Sequence, residues 1–260
     1  MATSLLLDGF IGGVRLIHGR YRDLHSLRAA VSFPATMNPK QRAAEAAIAH
    51  LRSNMTVGLG TGSTADFFLQ ALAAAMSSGA LRGIRGVATS RQSEWRAQQL
   101  SIPLMELGTN NPDVTIDGAD EVAPNLDLIK GLGGALLREK MVAQASKKLI
   151  IIADASKRVS ILGSKSPVPV EVTPFGHESH MAFFAALGAA AVLRRSADGS
   201  IFISDNANYI YDCRFTSIAN PIELEEKLRG RAGVVCTGLF LGMASLAIIA
   251  DDQGIHELKR

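Results

Sequence analysis

The sequence of 260 residues is long enough for one large domain or for one and a half domains. Because 47% of its residues are hydrophobic and 20% are charged, the chain is globular and can bury a large core. The net charge of +3 is small, and no run of Lys and Arg is interleaved with aromatic residues, which argues against nucleic acid as a partner. Cys213 and Cys236 lack the spacing of metal ligands, so we expect two reduced, mostly buried thiols.

Residues 1–36 differ from the rest of the chain, since they hold four arginines against two aspartates. Asp8 and several glycines interrupt the segment LLLDGFIGG, so it does not have the apolar core of a secretory signal peptide. Two interpretations remain for this extension: a leader for an organelle or a poorly ordered segment. The low serine content favours the second, because transit peptides are rich in serine.

Strands and helices alternate from residue 37 to residue 166. Asn38 and Pro39 suit the N-cap and the first position of a helix, which KQRAAEAAIAHLRS continues. A buried strand at Thr56–Gly60 is followed by a polar turn and the amphipathic helix ADFFLQALAAAM. We then expect a strand at GIRGVAT, a helix at SRQSEWRAQQLS in which Trp95 packs against the sheet, and strands at IPLMEL and VTIDGAD. The helix GGALLREKMVAQASK and the strand KKLIIIADASK complete a parallel α/β sheet of Rossmann-like type.

The pattern changes after residue 166. We expect a strand at VPVEVTP, a helix over HESHMAFFAALGAAAVLRRS, a hairpin over SIFISDNANYIYDCRF with its turn at Asn206–Asn208, and a capped helix after Asn220 and Pro221. These elements predict a small α+β domain, ferredoxin-like, at residues 167–234. It is inserted before the C-terminal strand of a Rossmann-like catalytic domain that comprises residues 37–166 and 235–260.

The segment Gly233–Ala250 has no charged residue over 18 positions, which is the lower limit for a membrane helix. Its glycines, its serine and threonine, and the two aspartates that follow it favour a buried core segment instead. We expect a strand at AGVVC, a short helix at TGLFLGMA and a strand at SLAIIA that returns to the first sheet.

A short polar turn, Thr61-Gly62-Ser63-Thr64, joins a predicted strand to a predicted helix. Such a turn places free backbone N–H groups and the positive end of a helix dipole against an anion. The segment GLGTGST matches neither the G-x-G-x-x-G dinucleotide motif with its downstream acid nor the P-loop. The alternative is a tight strand–helix turn with a Ser or Thr cap.

The stretch VTIDGADEVAPNLDLIKGLGGALLREK concentrates groups that are useful in catalysis. Asp117 and Asp120 end an apolar run, Lys130 opens a glycine-rich turn, and Glu139 lies in the helix that follows. Ligands of parallel sheets bind outside the carboxyl ends of the strands, so we expect the aspartates and the Thr61–Thr64 turn to face one crevice. The stretch predicts proton transfer on a small anionic substrate.

Several of these polar residues also have an ordinary structural interpretation. Glu139 is consistent with a solvated helix acid, and Lys40 with a surface lysine in the first turn of a helix. His177 and His180 are three positions apart, whereas the histidines of H-E-x-x-H are four apart, so we expect no metal site. No serine lies in a G-x-S-x-G motif, which argues against a Ser-His-Asp hydrolase.

Several segments occur in order between residues 37 and 260: GLGTGSTADFF, DGADEVAPNLDLIKGLGGALLREK, IIADASK, VPVEVTPFG, DNANYIYD and NPIELEEKLRGRAGVVCTGLF. Together they resemble the ribose-5-phosphate isomerase family, type A. The combination of DGADE, K-G-x-G-G-A and REK is highly specific, whereas GTGST resembles a wider group of sugar-phosphate and CoA-transferring folds. The resemblance implies an enzyme that interconverts D-ribose 5-phosphate and D-ribulose 5-phosphate in the non-oxidative pentose phosphate pathway, without a metal or organic cofactor.

The resemblance also implies roles for individual residues. Glu139 matches the general base, and Asp117 and Lys130 match the pair that assists ring opening, with the roles of Asp117 and Asp120 open to exchange. The residues that the resemblance places around the substrate are Thr61, Gly62, Ser63, Thr64, Asp117, Gly118, Ala119, Asp120, Lys130, Gly131, Leu132, Gly133, Lys157 and Lys40. The phosphate is expected beside the Thr61–Thr64 turn and the lysines. The resemblance further implies a cytoplasmic homodimer or homotetramer without a nucleic-acid or membrane partner, and organelle targeting by residues 1–36 stays open.

The sequence departs from the family pattern in two places. Leu132 and Leu137 replace a glycine and a threonine of the bacterial pattern KGGGAALTREK, and Asp-Asn-Ala-Asn replaces the usual Asp-Asn-Gly-Asn, which bears on the turn geometry. Two other protein classes have similar folds. An amino-sugar-phosphate deaminase or lactonase would carry a histidine motif after Gly134, and none is present. A sugar-phosphate-sensing regulator would need a helix-turn-helix before residue 37, and residues 1–36 are too short and too rich in glycine for one.

Overall fold

The computed structural model describes residues 38–109 and 111–260, so the predictions for residues 1–36 lie outside the described part. The α-helices in this part are α1 (Pro39–Ala47), α2 (Ser63–Ser77), α3 (Arg91–Gln99), α4 (Leu136–Ala145), α5 (His180–Ala186) and α6 (Pro221–Arg229). The strands are β1 (Thr56–Leu59), β2 (Arg85–Ala88), β3 (Val114–Asp117), β4 (Glu121–Val122), β5 (Leu128–Ile129), β6 (Leu149–Asp154), β7 (Val168–Val172), β8 (Ala190–Leu193), β9 (Tyr209–Arg214), β10 (Val234–Thr237), β11 (Leu239–Phe240), β12 (Ala244–Asp251) and β13 (Gly254–Lys259).

The main sheet has the strand order β13–β12–β6–β3–β1–β2 and is parallel except for the edge strand β13. Its inner strands are buried along almost their whole length because both faces of the sheet are covered. In β6, Ile150 and Ile152 face the cluster that contains α1 and α2, whereas Ile151 and Ala153 face the cluster that contains Phe240. The predicted α/β fold with a Rossmann-like parallel sheet is confirmed.

The order of the strands reverses at β1. From β1 the chain adds β2 on one side, and it then adds β3, β6 and β12 on the other side. In doubly wound sheets, ligands bind at such a reversal, outside the carboxyl ends of the strands. The fold therefore directs attention to the residues that follow β1 and β3.

A second sheet has the order β10–β7–β9–β8, and its neighbouring strands are antiparallel. Its elements follow one another as strand, helix, two strands, helix and strand, which is the predicted ferredoxin-like topology. A third sheet, β11–β5–β4, is short and antiparallel, and its residues Leu128 and Phe240 pack against the main sheet. The predicted domain boundaries, at residues 166/167 and 234/235, stay a prediction.

The helix predicted over HESHMAFFAALGAAAVLRRS is wrong in its second half. It ends at Ala186, and Gly188 takes a positive φ of 84°, a conformation that ends helices and that glycine adopts readily. The following residues form β8, which pairs with β9. Strand β8 therefore pairs with β9 in the place that was predicted for SIFI. The predicted turn exists, since the N–H of Ser204 donates to the carbonyl of Asn208.

Three further predictions are wrong. TGLFLGMA contains β11 instead of a helix, and IPLMEL forms only a single bridge, from Leu104 to Gly86, instead of a strand. Trp95 does not pack against the sheet, since 59% of it is exposed. The charge-free segment Gly233–Ala250 forms strands, and none of the described helices has the length and apolar character needed to cross a membrane.

Candidate active site

A cavity of about 100 Å³ opens at the carboxyl ends of β1 and β3. It is lined by Lys40, Thr61, Gly62, Ser63, Thr64, Gly118, Ala119, Asp120, Lys130, Gly131, Gly133, Glu139 and Lys157. Of the other predicted site residues, Asp117 contacts Lys130, and Leu132 is 41% exposed between two lining glycines. The structure thus brings together residues that the sequence predicted in separate segments.

A larger cavity of about 420 Å³ is lined mainly by apolar side chains, including Val87, Leu104 and Met141. It shares none of its lining residues with the smaller cavity. We place the site in the smaller cavity because that cavity holds the buried charges.

The ammonium group of Lys130 lies between two carboxylates beside the smaller cavity. Its Nζ is 3.1 Å from Asp117 Oδ2 and 2.9 Å from Glu139 Oε1, and it also donates to the carbonyl oxygen of Gly118. The exposed fractions of Lys130, Asp117 and Glu139 are 2%, 1% and 4%. Such buried charges are tolerated only when they are paired and hydrogen-bonded, so the three side chains form one interdependent cluster.

Different elements deliver the three charged side chains. Asp117 is the last residue of β3, and Glu139 lies in the first turn of α4, where the helix dipole favours a negative charge. Lys130 follows β5, and its backbone N–H donates to the carbonyl of Gly238, 2.9 Å away. The cluster is therefore fixed by the packing of three rigid elements.

Burial is the main cause that raises the pKa of Glu139 to about 8; Lys130 opposes this shift, whereas Asp117 and Asp120 add to it. Burial lowers the pKa of Lys130, but the charges of Asp117 and Glu139 outweigh it, and the net pKa lies above the ordinary value. Lys130 therefore stays a cation near neutral pH. Glu139 is a carboxyl group that can take up and release a proton there, as a general base must.

The two aspartates have different surroundings. Asp117 Oδ1 accepts hydrogen bonds from the backbone N–H groups of Thr61, at 3.0 Å, and Gly118, at 2.7 Å, so Asp117 joins the ends of β1 and β3. Asp120 lines the cavity, and its Oδ2 accepts from the N–H of Leu132 at 3.0 Å. Only Asp120 of the two therefore borders the space that a substrate can enter.

The turn after Lys130 brings backbone groups to the cavity. Gly131 has a φ of +101°, and a Cβ atom at this position would lie 2.7 Å from Leu136 Cβ. A residue with a side chain would thus be strained and would collide with the start of α4. The N–H of Gly134 donates to the carbonyl of Gly131 at 2.9 Å, which closes the turn.

Helix α2 begins at the opposite side of the cavity. Its N-cap, Gly62, provides no side-chain hydrogen bond, and the first helical bond runs from the N–H of Asp66 to the carbonyl of Gly62. The N–H groups of Ser63 and Thr64 precede that bond, so they are available for an anion. The Nζ of Lys40 donates to Ser63 Oγ at 3.0 Å, which places a cation beside these groups.

The second lysine, Lys157, belongs to a 3₁₀ turn directly after β6. Burial raises the pKa of Asp154, but hydrogen bonds from Ser156 and the charges of Lys40 and Lys157 outweigh it, so the net pKa is lowered. Both lysines thus lie close enough to Asp154 to affect its ionisation. Together with the start of α2, they make this end of the cavity positive.

The described residues contain no group of three or more His, Cys, Asp or Glu side chains placed to hold a metal ion. The two histidines of HESH have other contacts: His177 Nδ1 lies 2.8 Å from the hydroxyl of Tyr211, and His180 stacks on Phe184. Cys213 and Cys236 are free and buried, as predicted.

Comparisons with known proteins show the family of the chain. The family model of ribose 5-phosphate isomerase A (phosphoriboisomerase A) matches residues 85–254. Ribose-5-phosphate isomerase A of Synechococcus sp. (strain JA-3-3Ab) is 52% identical over 223 residues, which cover 85% of this chain and 96% of the relative. The chain belongs to the ribose-5-phosphate isomerase A family.

Two solved isomerases also share the fold. The ribose 5-phosphate isomerase of Plasmodium falciparum aligns with a TM-score of 0.82 at 40% identity, over 85% of this chain and 97% of that structure. A D-ribose-5-phosphate isomerase in complex with phospho-erythronic acid aligns with a TM-score of 0.83 at 36% identity, over 86% of this chain and 100% of that structure. The chain is therefore an isomerase that shares the fold of these enzymes.

Sequence reasoning missed how the isomerase uses Thr61. Its hydroxyl faces the protein interior, where it lies 2.8 Å from the hydroxyls of Thr89 and Ser90 and 2.9 Å from that of Ser93. The hydroxyl of Thr61 is therefore not directed at the cavity, whereas its methyl group faces Gly133. Gly62, Ser63 and Thr64 line the cavity beside it. Thr89 and Ser90 directly follow β2, so the rule that placed Thr61 at a strand end would also have found them.

Proposed function

We propose that the chain interconverts D-ribose 5-phosphate and D-ribulose 5-phosphate through an enediolate, with Glu139 as the base that moves the proton between C2 and C1. The observation that carries this proposal is the buried cluster of Lys130 with Asp117 and Glu139 beside the cavity. One carboxylate can remove and return the proton if it reaches both carbons. The raised pKa of Glu139, about 8, suits a group that must be protonated and deprotonated in each turnover.

Lys130 is proposed to stabilise the negative charge that develops on the substrate oxygens. It remains cationic and is already oriented by its contacts with Asp117, Glu139 and Gly118. Because this cation is positioned before the reaction, little reorganisation opposes the build-up of charge.

Ring opening requires a group that exchanges a proton with a sugar hydroxyl. The position of Asp120 supports this role because its side chain lines the cavity, whereas Asp117 pairs with Lys130 and accepts from the N–H of Thr61. We propose that Asp120 handles the hydroxyl proton and that Asp117 assists through Lys130. This proposal gives different roles to the two aspartates, which the sequence left open.

The phosphate is proposed to bind at the start of α2. The free N–H groups of Ser63 and Thr64, with Lys40 and Lys157 beside them, provide donors and positive charge there. Phosphate binding at this end would hold C1 and C2 near Glu139 and so contribute remote binding energy to the reaction.

The test is a coupled isomerase assay with ribose 5-phosphate on the wild type and on Glu139→Gln. We expect kcat to fall by roughly 100-fold or more, with little change in KM, because the base is lost while the phosphate contacts remain. Glu226→Gln, at an exposed position on α6, is the matched control and should retain normal turnover. Near-normal turnover of Glu139→Gln would contradict the assignment of the base.

Isotope exchange gives a second check on the enediolate. In D₂O, the proton removed from C2 of ribose 5-phosphate exchanges with solvent on the base, so ribulose 5-phosphate should acquire deuterium at C1. Direct hydride transfer would leave the product unlabelled. Proton NMR of the product distinguishes the two outcomes.

The proposed steps use side chains and backbone groups of the chain and require no metal or organic cofactor. We therefore expect EDTA to leave turnover unchanged; a loss of activity that a divalent ion restores would overturn this part. The role in the non-oxidative pentose phosphate pathway, the cytoplasmic location and the homodimer or homotetramer stay proposals that rest on the family resemblance.

A further inference from the structure

The glycine turn of the cavity is held from outside by Arg194, which directly follows β8. Its Nη1 donates to the carbonyl oxygens of Gly131, at 3.0 Å, and Leu132, at 3.2 Å. Its Nε and Nη2 donate to the two carboxylate oxygens of Asp212, at 2.9 and 2.5 Å. The side chain of Arg194 is only 11% exposed. The guanidinium group is thus fixed on one edge by Asp212 and holds two successive carbonyls with another nitrogen.

These two contacts determine where two N–H groups point. In a trans peptide the C=O and the following N–H point in opposite directions, and the described residues contain no cis peptide. The carbonyl of Gly131 faces Arg194, and the N–H of Leu132 accordingly donates to Asp120 on the other side. The carbonyl of Leu132 also faces Arg194, so the N–H of Gly133 points towards the cavity that Gly133 lines.

The N–H of Gly133 has no acceptor among residues 38–109 and 111–260. Gly133 is exposed and lines the cavity, so its N–H remains open to a group that enters there, which here would be the substrate. The ring of Phe202 also packs against the turn, since a Cβ atom at Gly134 would lie 2.4 Å from this ring. The guanidinium carbon of Arg194 lies over the same ring, 5.7 Å from its centroid. The small sheet therefore fixes the outer side of the turn while the inner side presents a donor.

We propose that Arg194 is a positioning residue that aims the N–H of Gly133 at the enediolate oxygen, where it acts beside Lys130. This inference rests on the proposed isomerase mechanism. Arg194 itself does not line the cavity and acts only through the turn. A backbone donor held in place before the reaction stabilises developing negative charge without reorganisation.

The first test compares Arg194→Lys and Arg194→Ala with the wild type. Lysine keeps the charge but cannot hold Asp212 and both carbonyls at once, so both variants should lose kcat by about 10- to 100-fold, with KM for ribose 5-phosphate nearly unchanged. Arg195→Lys and Arg195→Ala are matched controls, because Arg195 is exposed and its guanidinium group donates to the carbonyl of Gly199 in its own loop. The controls should keep wild-type kinetics.

The second test separates positioning from general loosening of the site. Phospho-erythronic acid carries a carboxylate whose two oxygens resemble those of an enediolate, whereas inorganic phosphate reports only on the phosphate end. In Arg194→Ala, inhibition by phospho-erythronic acid should weaken by at least about tenfold, while inhibition by inorganic phosphate stays unchanged. Equal weakening of both inhibitors, or an unchanged kcat, would overturn the inference.

A third variant covers the case in which Arg194→Ala does not fold. Asp212→Asn keeps the arginine but weakens its anchor, and it should lower kcat by a smaller factor than Arg194→Lys while the protein stays folded. If Asp212→Asn and Arg194→Lys both retain wild-type kcat, the inference fails. The proposed function fails separately if the wild type lacks isomerase activity or if Glu139→Gln retains it.

Discussion

The two ends of the cavity hold their charges in different ways. At the end of the proposed base, Glu139, the side chains of Lys130, Asp117 and Glu139 are almost fully buried, and both carboxylates pair with Lys130. At the proposed phosphate end, Lys40 and Lys157 are only half-buried, and Gly62 and Ser63, at the start of α2, are exposed. Buried pairs are rigid and little affected by salt, whereas exposed charges are screened and adaptable. The buried end is therefore suited to the chemical step, and the open end to capture of the phosphate.

The largest effect is expected when the buried end loses its cation. Lys130→Met would leave two buried carboxylates without a counter-charge and should destabilise the protein by about 3–5 kcal/mol. Lys227→Met, which breaks an exposed pair with Glu223 on α6, is the control and should cost no more than about 1 kcal/mol. Urea unfolding of both variants measures the loss in the free energy of unfolding. Equal losses would contradict the expected difference between buried and exposed charges.

The destabilisation in Lys130→Met should also depend on pH. Loss of Lys130 removes an opposing effect, so the pKa of Glu139 would rise above its present value of about 8. A carboxyl group with a raised folded-state pKa favours folding at low pH, and this contribution is lost as pH rises through that pKa. The variant should therefore be closer to wild-type stability at about pH 6 than at about pH 9. A deficit that is independent of pH would argue against coupling between these two residues.

A smaller effect is expected in the pH profile of the wild type. If Glu139 must be ionised to act, kcat/KM should rise with pH and level off above about 8. Asp120→Asn removes a charge that raises the pKa of Glu139, so the profile of this variant should shift to lower pH. Initial rates across neutral and mildly alkaline pH, at constant ionic strength, test both expectations. A profile that does not shift would assign the titration to another group.

The smallest effect is expected at the open end. Lys157→Ala should raise KM for ribose 5-phosphate by about tenfold, because one charge-assisted hydrogen bond is lost, and leave kcat nearly unchanged. The difference from the wild type should shrink as salt is added. Lys259→Ala, which alters an exposed lysine of β13, is the control. A fall in kcat with an unchanged KM would show that the two ends do not divide binding and chemistry in this way.

Much of the candidate site was predictable because its residues directly follow strands or begin helices. Thr61, Asp117 and Lys157 lie at such positions, and their types are informative without knowledge of the tertiary structure. Arg194 was not predictable in this way. It meets Gly131 and Leu132 across a long separation in sequence, and its local surroundings show only an arginine at the end of an apolar run.

Prediction of the fold from the sequence has the same limit, because contacts between distant segments are not visible in the local sequence. The alternating pattern predicted the main sheet, because its strands are apolar runs between helices with capping residues. The segments that became β8 and β11 are rich in small and apolar residues that suit either helix or strand. Pairing of Ala191 with Cys213 and of Phe240 with Leu128 makes them extended. Tertiary pairing decided these elements, and local sequence preference did not.

The strand order of the main sheet has a consequence for folding. Strands β6 and β12 are neighbours, with Ile152 opposite Ile248, yet the whole ferredoxin-like sheet lies between them in the chain. The paired strands of the small sheet are closer in sequence than β6 and β12 are, so the main sheet can close only when the most distant segment returns. Pairings of long sequence separation form late because their loop entropy must be overcome first. A refolding chain should thus complete the surface that supports the glycine turn before it completes the sheet that carries Asp117.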